Sequence, residues 1–380
     1  MFQRNSFVVS QRSREKLLSM KILLAGGGTA GHVEPALAVA RAWKVAHPSD
    51  AIEFIGTSSG LENSLVPAAG FPLHHIPKVA IARKLSPSLL RVPFQLFSSI
   101  NRTRHLLKGV DCAIGFGGYV SGPLYIAAAM TRTPIVIHEQ NARPGWANRL
   151  GARLTNHLAI SYEVNSPLFS KAELTGLPLR ADVLAALAKA SSNWRTVRAD
   201  AKREIASRYG LSPVQPLLFI FGGSQGSQAI NAVIAQSRAT FELRGISILH
   251  GVGKNNALPE SSQNYRALNY IDDMALCYLA ADLLISRSGA VTCAEATALA
   301  RYSLFIPLPV GNGEQSLNAR SLVQSGRAQI IEQSAFTPEW LEAHISNLLK
   351  ESADRPDEAD ASGAGAVDKI VKIIERAVGI

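Results

Sequence analysis

Apolar residues in this chain gather in short runs, each closed by glycine, proline or polar residues and followed by a longer segment of helical character. The runs fall at residues 22–25, 51–55, 112–115, 135–138 and 158–160, and again at 217–221, 247–250, 283–286, 303–306 and 328–331. Apolar runs of strand length alternating with helices predict parallel sheets covered by helices on both faces. In such α/β folds ligands meet the carboxyl ends of the strands. Two units frame the pattern. The first runs from Lys21 to Ala25, opens into Gly26-Gly27-Gly28-Thr29-Ala30-Gly31-His32 and continues as a helix through residues 36–43. The second takes residues 217–221 into Gly222-Gly223-Ser224-Gln225-Gly226-Ser227 and a helix from Gln228. Glycines there let main-chain N–H groups approach an anion at a helix N-terminus. The duplication predicts two Rossmann-like parallel-sheet domains facing a central cleft.

Thr175-Gly176-Leu177-Pro178 is a turn signal between the halves, and a polar, helix-prone stretch at 181–208 precedes the second glycine unit. A hinge belongs there, dividing an N-terminal domain, 20–178, from a C-terminal domain, 179–361. Residues 351–366, rich in Asp, Ala, Gly and Ser, read as a flexible connection. Beyond them Ile370, Val371, Ile373, Ile374 and Val378 recur at helical spacing, so residues 362–380 form an amphipathic helix that must pack on something. Residues 1–19 lack the apolar core and cleavage site of a secretory signal and read as a disordered extension, with Met20 opening the folded chain. No run reaches the roughly 18 apolar residues of a spanning helix.

Composition narrows the class. The chain has 380 residues, 47% apolar and 18% charged, which suits a globular protein with two cores. A formal charge of +10 favours polyanionic partners: nucleotide phosphates, anionic lipid or nucleic acid. No nucleic-acid-binding motif is present, so no nucleic-acid partner is expected. Cys112, Cys277 and Cys293 are odd in number and widely spaced, which argues against a disulfide framework and for a reducing compartment.

Gly26, Gly28 and Gly31 satisfy the G-x-G-x-x-G pattern, yet the next strand ends in Gly56-Thr57-Ser58 where a nicotinamide site needs an acidic residue. Neither turn carries the Lys-Ser/Thr of a P-loop. His32 stands at the helix start, where its ring is either a packing histidine or a general base beside an anion site. Gly117-Gly118-Tyr119-Val120-Ser121-Gly122-Pro123 and His138-Glu139-Gln140-Asn141 follow two further strands and so lie on the same rim. In the second half, Ser288-Gly289-Ala290 opens a helix through Glu295 whose free N–H groups suit a diphosphate. Glu295 either complements the helix dipole or accepts ribose hydroxyls. Gln315 and Asn318 follow another strand and are available for sugar hydroxyls.

Together these motifs resemble the GT-B glycosyltransferases, specifically the MurG family, which adds N-acetylglucosamine to lipid I in peptidoglycan assembly. The likeness runs over nearly the whole chain from about Met20 and rests on the motifs in combination. It implies an inverting hexosyltransferase that makes lipid II from UDP-N-acetylglucosamine and lipid I without a covalent enzyme intermediate. It implies catalytic His32, with Glu139 as the rival base. Donor binding would fall to Thr29, Ala30, Gly31, Asn141, Arg180, Ser224, Ile271, Ala290, Val291, Thr292, Cys293, Ala294, Glu295, Gln315 and Asn318. Acceptor binding would fall to Gly28, Gly31, Tyr119 and Asn141. The C-terminal helix would return to the N-terminal domain.

No Asp-x-Asp pair ends a strand, and adjacent Asp272 and Asp273 diverge, so catalysis is expected to need no metal and no cofactor. Three positions depart from the commonest family pattern: Ala30 for glycine, which requires a negative φ, Leu177 for asparagine, and Glu314 for glutamine or histidine. Residues 81–107 place Leu, Phe, Val and Ile among Arg83, Lys84, Arg91, Arg102 and Arg104. Such a segment suits an interfacial dock on anionic lipid. The family's lipid-borne acceptor implies a peripheral protein on the cytoplasmic face of the cell membrane, with the anionic inner leaflet and other cell-wall synthesis proteins as partners.

Overall fold

The first strand, β1 (Lys21–Ala25), is buried along nearly its whole length because strands lie against it on both sides and helices cover both faces. In this computed structural model, residues 19–79, 92–190, 193–310, 312–354 and 360–380 are described. The N-terminal sheet comprises β1, β2 (Ala51–Gly56), β3 (Leu73–His75), β4 (Cys112–Gly115), β5 (Ile135–Glu139), β6 (His157–Ile160) and β7 (Glu173–Leu174), ordered 3-2-1-4-5-6-7 and parallel throughout. The C-terminal sheet comprises β8 (Leu217–Phe221), β9 (Ser247–Gly251), β10 (Tyr265–Leu268), β11 (Leu283–Ser286), β12 (Ser303–Phe305) and β13 (Ala328–Ile330), ordered 10-9-8-11-12-13 and also parallel. Each sheet reverses strand order once, between β1 and β4 and between β8 and β11. Splayed connections at such a reversal leave a crevice beyond the strand ends.

Three strands escaped the reading of apolar runs: β3, β7 and β10. Two of them carry His or Glu on short segments and the third is half polar, and all three lie at sheet edges, where one side meets solvent and continuous apolarity is not required. The stretch at 181–208 divides into two helices, Ala181–Ala190 and Trp194–Tyr209, and Asn193 caps the second by accepting from the Thr196 N–H. The first glycine turn is shorter than expected, since its helix already begins at Ala30 and runs Ala30–Ala46.

Each sheet has a core on both faces. One N-terminal core takes in Ile370, Val371, Ile373 and Ile374 from the helix Ala366–Val378, packed with Trp43 and Val136. The chain's end therefore completes the domain in which it began. His47 Nε2 lies 3.1 Å from Glu375, and Arg376 pairs with Glu173. All but the last residue of the expected N-terminal extension 1–19, and residues 81–91 of the expected interfacial segment 81–107, lie outside the described residues.

Candidate active site

Loops beyond the carboxyl ends of β5 and β6 touch loops and helix starts beyond β11 and β12, so the two crevices share one cleft. Asn318 Oδ1 accepts from the Ala142 N–H at 3.0 Å, and its Nδ2 donates to Asn141 Oδ1 at 3.1 Å. Arg143 donates to the Asn312 carbonyl, and the Tyr162 hydroxyl reaches the Ala290 carbonyl at 3.3 Å.

On the N-terminal wall Gly28 has φ +92°, a conformation glycine adopts without strain. Thr29 is the N-cap of Ala30–Ala46 but makes no capping bond, so the opening N–H groups lack a side-chain partner. Its hydroxyl lies instead 3.1 Å from His32 Nδ1. Ala30 is absent from the residues with positive φ, as its side chain requires. The His32 ring is half-buried, and burial lowers its pKa from 6.5 to about 4 while the Glu62 charge opposes the fall. At neutral pH the imidazole is uncharged. In the tautomer that donates Nδ1–H to Thr29, the Nε2 lone pair is free, and Gly117 makes room for it: a Cβ there would stand 3.1 Å from Nε2. Tyr119, 43% exposed, sits at the rim with the Lys78 ammonium 5.6 Å from its ring centre.

His138-Glu139-Gln140-Asn141 sends its four side chains to four different tasks. His138 Nε2 lies 3.3 Å from the Gly176 carbonyl in the hinge and 3.1 Å from the Ser161 hydroxyl, and burial lowers its pKa to about 4. Glu139 was expected as a rival base, but its buried carboxylate accepts from the Asn141 and Gly145 N–H groups and the Asn148 amide, at 2.9 to 3.0 Å. It ties down its own loop and is 2% exposed. Burial raises its pKa, with these donors opposing. Gln140 lies near Gly31, and its buried Oε1 has no partner among the described residues. His138 Nδ1 and Ser288 Oγ are likewise unpartnered. Such atoms at a cleft are what a bound ligand or water satisfies.

On the C-terminal wall Gly223 and Gly226 take φ values of +92° and +76°, and a Cβ on Gly226 would overlap the Val252 carbonyl. Half-buried Ser224 rides on this turn. The helix Ala290–Ala298 begins at Gly289 with no capping side chain, leaving the N–H groups of Ala290, Val291 and Thr292 for an anion. Cys293 and Ala294, expected at the donor, lie against the domain core, and the Cys293 N–H donates to the Gly289 carbonyl at 3.0 Å.

Several expected ligand-binding side chains already have partners. The Gly28 N–H, expected to meet the acceptor diphosphate, instead donates to Glu62 Oε2 at 2.8 Å. Asn318 and Asn141, expected at sugar hydroxyls, hold the two domains together, and Asn318 is buried. Gln315 Oε1 accepts from the Leu308 N–H, and Glu314 from the Asn312 N–H. Arg180 forms a bidentate pair with buried Glu295, at 2.7 and 2.9 Å. Burial raises the Glu295 pKa and Arg180 opposes it; Glu34, on the first helix, is also raised by burial and feels Arg180 from the opposite domain. Ile271 is buried, packed near Gly251.

The sequence reading missed Glu62 and gave no role to Arg287 or Gln140. Buried Arg287 fans out to the Ile306 and Pro307 carbonyls, Ser227 Oγ and Gln333 Oε1, joining the β8 turn to the loops after β12 and β13. An arginine following an apolar strand, with no acidic residue beside it, was the available signal.

Residues 22–160 match the glycosyltransferase family 28 N-terminal domain and residues 217–376 its C-terminal domain. A Thermobifida fusca protein, named UDP-N-acetylglucosamine–N-acetylmuramyl-(pentapeptide) pyrophosphoryl-undecaprenol N-acetylglucosamine transferase, is 44% identical over 88% of this chain and 86% of its own length. The chain belongs to the MurG family of glycosyltransferases. A Streptomyces coelicolor member of the same name is 41% identical over 87% of this chain and 89% of its own. The crystal structure of Acinetobacter baumannii MurG superposes with a TM-score of 0.66 at 27% identity, covering 93% of this chain and 99% of that one. A Neisseria meningitidis UDP-GlcNAc 2-epimerase, 14% identical with a TM-score of 0.57, shares the fold. Family membership makes the protein a GT-B hexosyltransferase, and the resemblance carried by its motifs holds.

Proposed function

We propose that the protein transfers N-acetylglucosamine from UDP-N-acetylglucosamine to the muramyl 4-hydroxyl of lipid I, giving lipid II with inversion at the sugar. The observation that carries this reading is the placement of two uncapped helix starts, at Ala30 and Ala290, on opposite walls of one cleft, with an uncharged histidine on the acceptor wall. His32 Nε2 takes the hydroxyl proton as the oxygen attacks the anomeric carbon. The carbon–oxygen bond to the diphosphate breaks, and its electron pair leaves with UDP.

Charge growing on UDP is met by the N–H groups of Ala290, Val291 and Thr292 and by Ser224, preorganised donors that stabilise it most where water is excluded. The transfer proposed here uses no metal and no cofactor. Uracil lies toward Ile271. The donor diphosphate draws the Arg180 guanidinium, leaving Glu295 to accept ribose hydroxyls, while Gln315 meets the sugar. Thr29, Ala30 and Gly31, expected among the donor-binding residues, are assigned here to the acceptor wall, where they hold phosphate, with Tyr119 above them.

No described helix is long and apolar enough to cross a membrane. On the helix Val92–Leu106, Phe94 and Phe97 are 78% and 74% exposed, with Arg102, Arg104 and Lys108 exposed nearby. We assign this face to peripheral docking on the anionic inner leaflet, at the cytoplasmic side of the cell membrane. The functional test is UDP release from UDP-N-acetylglucosamine in the presence of a short-chain lipid I analogue. Release with a different sugar nucleotide alone would move the protein to another glycosyltransferase class.

A further inference from the structure

Glu62, at the first position of the helix Glu62–Ala68, is fully buried and has no part in the roles assigned above. Its Oε2 accepts the Gly28 N–H at 2.8 Å, and its Oε1 accepts the Thr57 N–H at 2.9 Å and the Thr57 hydroxyl at 3.2 Å. Three glycines make room for it. A Cβ at Gly60 would overlap Oε2, one at Gly56 would stand 2.5 Å from Cγ, and one at Gly27 3.1 Å from Oε1. Gly56 ends β2 and Thr57 and Gly60 follow it, so the place where a dinucleotide site keeps an acidic residue is here a socket for one delivered from the next helix.

We propose that Glu62 is the positioning residue of the acceptor wall: its carboxylate pins the Gly28 amide inward and so sets the turn that presents Thr29 to His32 to the cleft. With Gly28 held, the turn carries Thr29 and the helix start in one arrangement, and His32 is fixed between Thr29 and Gly117. The same charge bears on the base, because Glu62 favours the imidazolium against the effect of burial. Among the described residues, the Lys78 ammonium lies over the Tyr119 ring and the other titratable groups near this turn act elsewhere. Glu139 is bound by its own loop, Tyr119 stands at the exposed rim, and Glu34 faces Arg180. The inference rests on the proposed function only for the identity of the acceptor.

Glu62→Gln tests it. The amide keeps the size and one acceptor but turns an NH2 toward either the Gly28 or the Thr57 N–H, so one buried donor goes unpaired. In the full-length protein kcat for the lipid I analogue should fall roughly tenfold or more, with KM for UDP-N-acetylglucosamine unchanged. The acid limb of kcat/KM should move to lower pH, since the charge that favours protonated His32 is gone. Glu62→Asp, which keeps the charge but falls short of Gly28, should lose kcat with a smaller displacement of the acid limb.

Wild-type kcat and pH profile in Glu62→Gln would overturn the proposal. Equal loss of kcat and donor binding with an unmoved profile would do the same, since it marks Glu62 as merely structural. NMR titration of the His32 ring in wild type and Glu62→Gln needs no turnover. A lower pKa in the variant supports the proposal even if the acceptor has been misassigned, and an unchanged one defeats it. Absence of wild-type UDP release alone counts against the acceptor, not against Glu62.

Discussion

The base proposed here, His32, is held in its uncharged form. Burial holds its pKa at about 4, so kcat/KM should stay level from neutral pH downward and fall only as the pH nears that value, where the lone pair is lost. His32→Ala should lower kcat by about a hundredfold or more, while calorimetry gives a donor affinity close to wild type. Undiminished turnover would remove His32 as the base. The histidine was legible in the sequence because its meaning is local: glycines precede it and a helix starts at it. Glu62 was not legible, because its partner Gly28 lies 34 positions earlier and the pairing exists only once β2 lies beside β1. Glu139 misled for a related reason. A carboxylate after a strand has the composition of a base, but the donors around it come from how its loop turns back, which no spacing displays.

At the scale of elements, the helix Val92–Leu106 packs on the helix Ser121–Thr131 and leaves Phe94 and Phe97 outward. Replacing both by Ser should sharply reduce sedimentation with anionic vesicles while leaving UDP binding intact, since the donor wall is in the other domain. Retained sedimentation would place the membrane contact elsewhere. Interior strands were legible because burial on both faces demands continuous apolar residues. The edge strands β3, β7 and β10 were not, because one neighbour suffices to define them and their composition is mixed. The break between Ala181–Ala190 and Trp194–Tyr209 passed unnoticed because both flanks are helix-prone and outweighed the cap-type run Ser191-Ser192-Asn193 between them.

Across the whole molecule, the junction between domains rests on few groups. Asn318→Ala removes an acceptor for the Ala142 N–H and a donor to Asn141, a loss of about 0.5–1.5 kcal/mol for each of these part-buried hydrogen bonds. Its radius of gyration by solution scattering should rise, and its kcat/KM for the donor should fall; unchanged scattering and turnover would show that the junction does not depend on it. Loss of stability in acid has a separate origin. His250, between Tyr265 and Asn231, is held neutral by burial, with its pKa lowered from 6.5 to about 4. Between those values the unfolded chain takes up a proton the fold refuses, so this contribution is present above pH 6.5 and is lost as the pH falls through about 4. Glu34, Glu139 and Glu295, raised by burial, work in the opposite sense. His250→Gln should therefore flatten the dependence of unfolding free energy on pH in that window, by up to about 1.4 kcal/mol per pH unit in urea titrations; an unaltered slope would contradict this. Taken alone, the sequence determined which segments are strands and helices in the interior and where glycines open helix starts to anions, because periodicity and backbone freedom act between near neighbours. Only the tertiary structure decided that Glu62 reaches Gly28, that Asn318 joins the domains, and that the last helix completes the first core. Those partners lie far apart along the chain, and their meeting depends on sheet order and domain closure.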